Sequence, residues 1–337
     1  MGTISFNLTT AARRYGANVT LRLTVSESAW RAHLTAVLSE SENVVPVVKG
    51  NGYGFGRARL IAELAGRYRY VAVGTVHELD SLTLAALQDS SSEVIPVVLT
   101  PTLHAPQSTE MVLTVGSSRQ IDALRGWKGP VLVKLLSAMH RYGGDLSLIA
   151  QAETAGLEVI GVSIHPPLPQ SGPQSSDPTG HITSWLAQIP TDVEVWVSHL
   201  SAHEFAQLPR THRYRHRIGT RLWHGDKSMF SLTAEVLETR AVAAGDRVGY
   251  RQVEVPCAGQ LIMIAAGSAH GVRPLPDGRS PFHFAAERMD LIEPPHMHTS
   301  MAFVPTGRRA PQTGDFVDVQ NPLTQVLVDE ILSDHTA

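Results

Sequence analysis

The segment Val47-Val48-Lys49-Gly50-Asn51-Gly52-Tyr53-Gly54-Phe55-Gly56 runs from an apolar strand-like stretch through a lysine into a glycine-rich turn. A helical pattern follows at once, with Leu60, Ile61 and Leu64 on one face of Arg57–Ala65. Strand, tight turn and helix in that order make up part of a βα repeat, and the same alternation runs through the first two thirds of the chain. It is visible just upstream in Ser28–Leu38, where Trp30, Leu34, Val37 and Leu38 share a face. Strands are expected near Val44–Val48, Tyr70–Gly74, Val94–Leu99, Met111–Val115, Val131–Leu135, Glu158–Ile164, Val193–Val197 and Tyr214–Ile218. About eight such strands close a (β/α)8 barrel. Beyond residue 228 the helical period gives way to strand-like alternation in Ser231–Val242, Arg247–Glu254, Gly259–Ala266, Met301–Pro305 and Phe316–Gln320, broken by Gly-Asp, Pro-Asp-Gly and Thr-Gly-Asp turns. The expected fold class is thus α/β, a TIM-type barrel over residues 1–228 followed by an all-β domain over residues 229–337.

Composition narrows the function. In 337 residues, hydrophobic side chains make up 43%, enough to fill a core. The 28 basic and 31 acidic residues leave a net charge of −3, so no global field favours nucleic acid or an anionic membrane. The local run Arg210–His224 holds five arginines and three histidines but carries no nucleic-acid motif and no matching global charge, so no nucleic-acid partner is expected. The single cysteine, Cys257, excludes an intramolecular disulfide and a cysteine-based zinc cluster and suits a reducing compartment, the cytoplasm. Met1–Phe6 has neither a basic lead into an apolar run nor a myristoylation pattern, and apolar runs such as Leu261–Ala266 fall far short of the ~20 residues that cross a bilayer. No membrane partner is expected. Pro166–Gly180, rich in proline and serine, reads as a surface loop or lid.

A lysine at the C-terminal end of a barrel strand stands where barrel enzymes place catalytic groups, and a desolvated amine can form a Schiff base. The glycines of the turn let the backbone approach a ligand closely. In this region the sequence resembles the alanine racemase family of fold-type III enzymes, whose lysine motif has the form V-V-K-A-N-A-Y-G-H-G. Lys49, Asn51, Tyr53, Gly54 and Gly56 are in register, while glycines replace both alanines and Phe55 replaces the histidine. The resemblance implies pyridoxal 5'-phosphate as cofactor, Lys49 as its Schiff-base partner and as the base on one face of the substrate, and Tyr53 as a phosphate ligand.

Further motifs follow in family order. Val133-Lys134-Leu135-Leu136-Ser137-Ala138-Met139-His140-Arg141-Tyr142-Gly143 is similar to V-K-x-D-T-G-M-x-R-x-G. By that likeness Arg141 faces the cofactor's phenolic oxygen and the substrate carboxylate, and Lys134 helps to orient it. A guanidinium suits a planar carboxylate because it presents paired donors. His165 ends a segment resembling L-x-G-x-x-T-H and would stack near the pyridine ring. Ser201 takes the place of a phosphate-binding serine. Arg217-Ile218-Gly219-Thr220-Arg221-Leu222-Trp223-His224-Gly225 resembles R-x-G-x-x-x-Y-G, which would set Arg217 against the pyridine nitrogen and the amides of Gly219 and Thr220 against the phosphate. An arginine that keeps its proton limits how much charge the ring absorbs and so favours racemisation over decarboxylation.

In the β domain Ala244-Gly245-Asp246-Arg247-Val248-Gly249-Tyr250 resembles A-G-E-S-V-G-Y, but Gly267-Ser268-Ala269-His270-Gly271-Val272-Arg273 departs from G-Y-A-D-G-x-x-R. Serine stands where the family has the tyrosine that serves as second base in the partner subunit's site. Racemisation moves a proton off one face of Cα and onto the other, so a second group is needed. His270, two residues on, shares a face with Ser268 if the segment is extended, and one or both could replace the tyrosine. Met297 falls in register with a substrate-binding methionine, and His296-x-His298 has metal-ligand spacing on a strand, although no metal is assigned. The expected activity is racemisation of alanine or another small amino acid, in D-amino acid metabolism, by a homodimer with shared active sites. Two alternatives remain: one-face elimination, dehydration or aldol cleavage of a D-amino acid, and a non-catalytic protein that binds the cofactor.

Overall fold

The computed structural model describes residues 20–41, 43–64, 67–89, 94–168 and 177–334. Met1–Phe6 and most of the proline-rich loop therefore lie outside the described residues. The chain divides into two compact units, one of residues 33–225 and one that combines residues up to 32 with residues 226–337.

β1 (Leu21–Ser26) leads into α1 (Glu27–Ser39), and the barrel strands follow: β2 (Val44–Pro46), β3 (Tyr70–Val73), β4 (Ile95–Val98), β5 (Leu113–Val115), β6 (Pro130–Lys134), β7 (Glu158–Ser163), β8 (Val195–Ser198) and β9 (Tyr214–Ile218). Each coincides with an expected strand to within two residues at either end. Six of them form a parallel sheet in the order β2-β9-β8-β7-β6-β5, and β3 pairs with β4. Single parallel bridges, Val47 to Ala72 and Val97 to Val112, join these two pieces into a closed ring. The intervening helices are α2 (Arg57–Glu63), α3 (Ser81–Gln88), α4 (Ser118–Ala123), α5 (Ser147–Thr154), α6 (Pro178–Leu186) and α7 (Ala202–Ala206), with α8 (Thr220–His224) after the last strand.

Inward-facing Val45, Val47, Tyr70, Ala72, Val97, Val112, Leu132 and Trp196 fill the barrel. Tyr70 and Trp196 meet edge to face at 5.0 Å. Arg215 lies over both rings and is held by Glu194 at 2.8 Å, so this packed interior is a solid core rather than a channel.

The other unit is β-rich. β10 (Phe230–Val242) is its spine: the first half pairs with β1, the second with β11 (Gly259–Ile264), and the register shifts between Val236 and Glu238. β12 (Ser300–Pro305) pairs with β11, and β13 (Phe316–Val319) pairs with β10. Val255, Leu261 and Phe303 form a local core. The short strands Phe282–Phe284, Glu287–Arg288 and Asp290–Leu291 and the terminal Glu330–Asp334 complete the sheet.

The expected boundary near residue 228 lies beside the division after Gly225, but residues 20–32 depart from the expected layout by joining the β-rich unit. The reason is visible in β1. Leu21, Leu23 and Val25 are buried and alternate with partly exposed residues, the period of a strand with one wet face rather than of a barrel strand. It is antiparallel to β10 and parallel to the last strand.

Candidate active site

Lys49 lies just past β2, beyond Val47 and Val48, at the C-terminal end of the barrel where βα loops gather. The turn after it is tight. Tyr53 adopts φ 56°, a region that side chains other than glycine seldom enter, and the Asn51 side chain accepts the Gly54 amide at 3.1 Å. Gly52 also has positive φ, and a Cβ there would collide with the backbone nitrogen of Arg57. His224 donates to the Tyr53 carbonyl at 2.6 Å, and its ring meets the Tyr53 ring edge on. The Tyr53 hydroxyl reaches Thr220 and lies so close to Gly219 that any Cβ at that position would strike it. Gly219 is thus required by the tyrosine.

A cavity of about 540 Å³ opens among these residues. Lys49, Tyr53, His165, Ser201, Arg217, Gly219 and Thr220, all expected at the site, line it together. Arg217 is 6% exposed and donates to the Ile164 carbonyl at 2.9 Å and to the Ser198 hydroxyl at 3.3 Å. Its Nε is buried with no partner among the described residues. Ser198 also meets His165 Nδ1 at 2.5 Å, so one hydroxyl joins the arginine to the imidazole. Burial and then the Arg217 charge hold His165 down to about 2, so its ring is neutral at pH 7. Burial also lowers Arg217, to about 10, which leaves it charged at neutral pH.

The field at the site is positive. Burial, then Arg141 and Arg217, push the Lys49 amine below its ordinary value, and Glu78 opposes them. Lys134, only 4% exposed, falls to about 7 through burial and the charges of Arg217, Arg141 and Lys49. Arg141 itself is exposed, stacked on the Tyr142 ring and hydrogen-bonded to its hydroxyl. Burial raises Tyr53 to about 12, keeping its phenol a donor. The charges acting on the two lysines are thus mainly positive, which suits an anionic ligand. The unpartnered Arg217 Nε, the positive field and the uncapped amides at the start of α8 together fit the phosphate and ring nitrogen of a pyridoxal cofactor.

Several groups at this site were absent from the sequence-based expectation. Glu78 accepts the Gly74 amide at 2.7 Å just past β3, and an acid placed soon after a barrel strand is a signal that could have found it. His199 adopts φ 63° and donates from Nδ1 to the Pro166 carbonyl at 2.8 Å, while its ring lies 4.2 Å from that of His165. Ser201 is occupied more fully than a free ligand would be. It caps α7 in a capping box in which its amide donates to Glu204 at 2.7 Å and its hydroxyl accepts from the Glu204 amide.

Ser268, His270 and Met297 belong to the β-rich unit. The extended segment on which a shared Ser268–His270 face depends is not formed, because Ser268–His270 make one 3-10 turn. His270 Nδ1 accepts the Gly267 amide at 3.1 Å and its Nε2 points to Asp329 at 3.6 Å, so the ring fastens the turn. Met297 is 66% exposed. His296 is bonded to Glu293 rather than paired with His298, and no group of three or more His, Cys, Asp or Glu side chains placed to hold a metal occurs among the described residues.

No curated protein matches the chain. Solved structures do. Alanine racemase from Bartonella henselae with covalently bound pyridoxal phosphate superposes with a TM-score of 0.71 at 19% identity, covering 94% of this chain and 100% of that one. The biosynthetic alanine racemase of Pseudomonas aeruginosa gives 0.68 at 18%, covering 95% and 100%. That of E. faecalis gives 0.67 at 19%, covering 91% and 92%. At these identities the likeness is one of fold, and both the barrel and the β-rich unit are included in it. The family described as alanine racemase, N-terminal domain, matches residues 25–222, more than half of the chain, and the protein belongs to that family.

Proposed function

We propose that the protein is a pyridoxal phosphate-dependent amino-acid racemase acting on alanine or another small amino acid, in the cytoplasm and as a homodimer. The observation that carries this reading is the convergence of Lys49, Tyr53, His165 and Arg217 on one cavity at the C-terminal end of the barrel, with the Arg217 Nε buried and unpartnered among the described residues. When bound, pyridoxal phosphate links through its aldehyde to an amine and draws electron density from Cα.

The chain's residues supply the rest. Lys49, whose amine burial and the neighbouring arginines push below its ordinary value, would hold the cofactor's aldehyde and take or give a proton at Cα. Tyr53, still protonated, would donate to the phosphate beside the first amides of α8. Arg217 would face the ring nitrogen and, charged at neutral pH, would limit charge build-up there and restrain side reactions. Ser198 orients Arg217 and His165 together. Arg141, near enough to lower the pKa of both Lys49 and Lys134, is the candidate for the substrate carboxylate. Exposed Cys257, a free thiol, suits a reducing compartment. The test is borohydride reduction of the cofactor-loaded protein followed by peptide mapping. The mass of the reduced cofactor is expected on the peptide containing Lys49, and its appearance elsewhere, or nowhere, would overturn the assignment.

A further inference from the structure

The racemase reading leaves one face of Cα without a base. Ser268, in the register of the missing tyrosine, is an unactivated hydroxyl, and both nitrogens of His270 are directed to other groups. A third candidate lies against them. The Ser268 amide donates to the His296 carbonyl at 2.7 Å, and the Ala269 amide to the Met297 carbonyl at 2.8 Å, so the two loops are stitched together.

His296 is held as catalytic imidazoles commonly are. Its Nε2 donates to Glu293 at 2.6 Å. Glu293 is 6% exposed and also accepts the amides of Tyr250 at 2.9 Å and Arg251 at 3.1 Å. Despite burial, which acts in the other direction, these bonds keep the carboxyl below its ordinary range, so the group is an anion fixed in place. A carboxylate can only accept, so Nε2 carries the proton it donates, and in the neutral ring Nδ1 is the nitrogen with the lone pair. Nδ1 has no partner among the described residues. The Tyr250 ring packs on the imidazole at 4.6 Å. Tyr250 is 86% exposed and Met297 66% exposed, so the imidazole sits beside two large apolar groups left open to a partner surface. His298, by contrast, is exposed and has only an edge-on contact with the His270 ring at 6.2 Å.

We propose that His296, oriented by Glu293, is the second acid-base group, working on a second copy's substrate on the face of Cα opposite that copy's Lys49. This proposal rests on the racemase and homodimer reading above. In one direction the Cα–H bond breaks, its electron pair stays on Cα and the proton passes to His296 Nδ1. A proton from the Lys49 ammonium then forms the new C–H bond on the other face. The reverse direction exchanges the two roles, so no co-reactant is consumed.

The test compares the parent protein, His296→Asn and Glu293→Gln, each loaded with pyridoxal phosphate and given D- and L-alanine separately in deuterated buffer. His296→Asn is expected to lower racemisation at least about 100-fold. Exchange of the α-proton of one enantiomer, the one served by Lys49, is expected to persist, together with the absorbance of the lysine-bound cofactor. Glu293→Gln is expected to give a smaller loss. Mixing His296→Asn with Lys49→Ala protomers should restore racemisation, because one site of each mixed dimer then has both bases. Independently of turnover, ¹⁵N spectra of the cofactor-free parent should show His296 protonated on Nε2 at neutral pH. Racemisation by His296→Asn within about threefold of the parent, no rescue in the mixed dimers, or a ring with Nε2 bare would each overturn the proposal. If the parent itself exchanges neither enantiomer, the racemase reading fails first, and this proposal with it.

Discussion

The barrel unit and the β-rich unit hold their polar groups by different means. In the barrel, Lys49, His165 and Arg217 are set by strand register: each stands at or just past the C-terminal end of β2, β7 or β9, and the ring of strands brings them to one cavity. In the β-rich unit the corresponding groups sit in turns, and short bonds place them. Glu293 fastens two loops through backbone amides and His296, and His270 fastens the turn that carries Ser268. The first arrangement is robust to changes in any one loop. The second depends on a few hydrogen bonds, so a single substitution there can redirect a side chain without disturbing the sheet.

The largest effect is expected at Lys49. Lys49→Ala should abolish covalent attachment of the cofactor and lower α-proton exchange on alanine by about 10⁴-fold, with the circular dichroism spectrum unchanged. Next comes the barrel core. Trp196→Ala should cost about 3–5 kcal/mol in urea unfolding, because Trp196 is fully buried against Tyr70 and Arg215. A loss below about 1 kcal/mol would show that the core can collapse around the gap.

Gly219→Ala sharpens the account of the phosphate corner. Its new methyl would strike the Tyr53 hydroxyl, so cofactor affinity should fall about tenfold, or about 1.4 kcal/mol, by equilibrium dialysis. In Tyr53→Phe, which removes the struck hydroxyl, the added Gly219→Ala change should cost less.

The strands and the barrel site were legible in the sequence because both follow a period. Short β-branched runs recur between helical stretches, and a lysine or arginine at the end of such a run falls at the mouth of the barrel. Glu78 escaped notice because it lies in a 3-10 turn, Val76–Glu78, that has no periodic signature. β1 was missed because an isolated period-2 strand does not say which sheet it will join, and its partners lie over 200 positions away in the chain. Two- and three-residue strands such as Glu287–Arg288 are too short to carry a pattern. His296-x-His298 has metal-ligand spacing in the sequence, whereas in the fold His296 turns to Glu293, three positions earlier, a bond that no spacing of histidines announces.

Smaller effects follow from charge. Lys134 is an amine whose folded pKa, about 7, lies below its unfolded value of 10.5. Between those values the unfolded chain binds the extra proton, so the cofactor-free protein should gain stability as pH rises from about 7 towards 10, by at most about 1.4 kcal/mol per pH unit from this group. Lys134→Met should raise stability at pH 7 and flatten that rise, as read from urea midpoints at pH 7 and 9. Last, Ser201→Ala should cost about 1 kcal/mol through loss of the cap on α7.

The most direct measurement of the central claim is α-proton exchange and chirality on D- and L-alanine, followed separately in deuterated buffer with pyridoxal phosphate present. Deuterium incorporation with inversion is expected from both enantiomers, and its loss in Lys49→Ala. Exchange that leaves the configuration of each enantiomer intact, or none with any small amino acid, would contradict it.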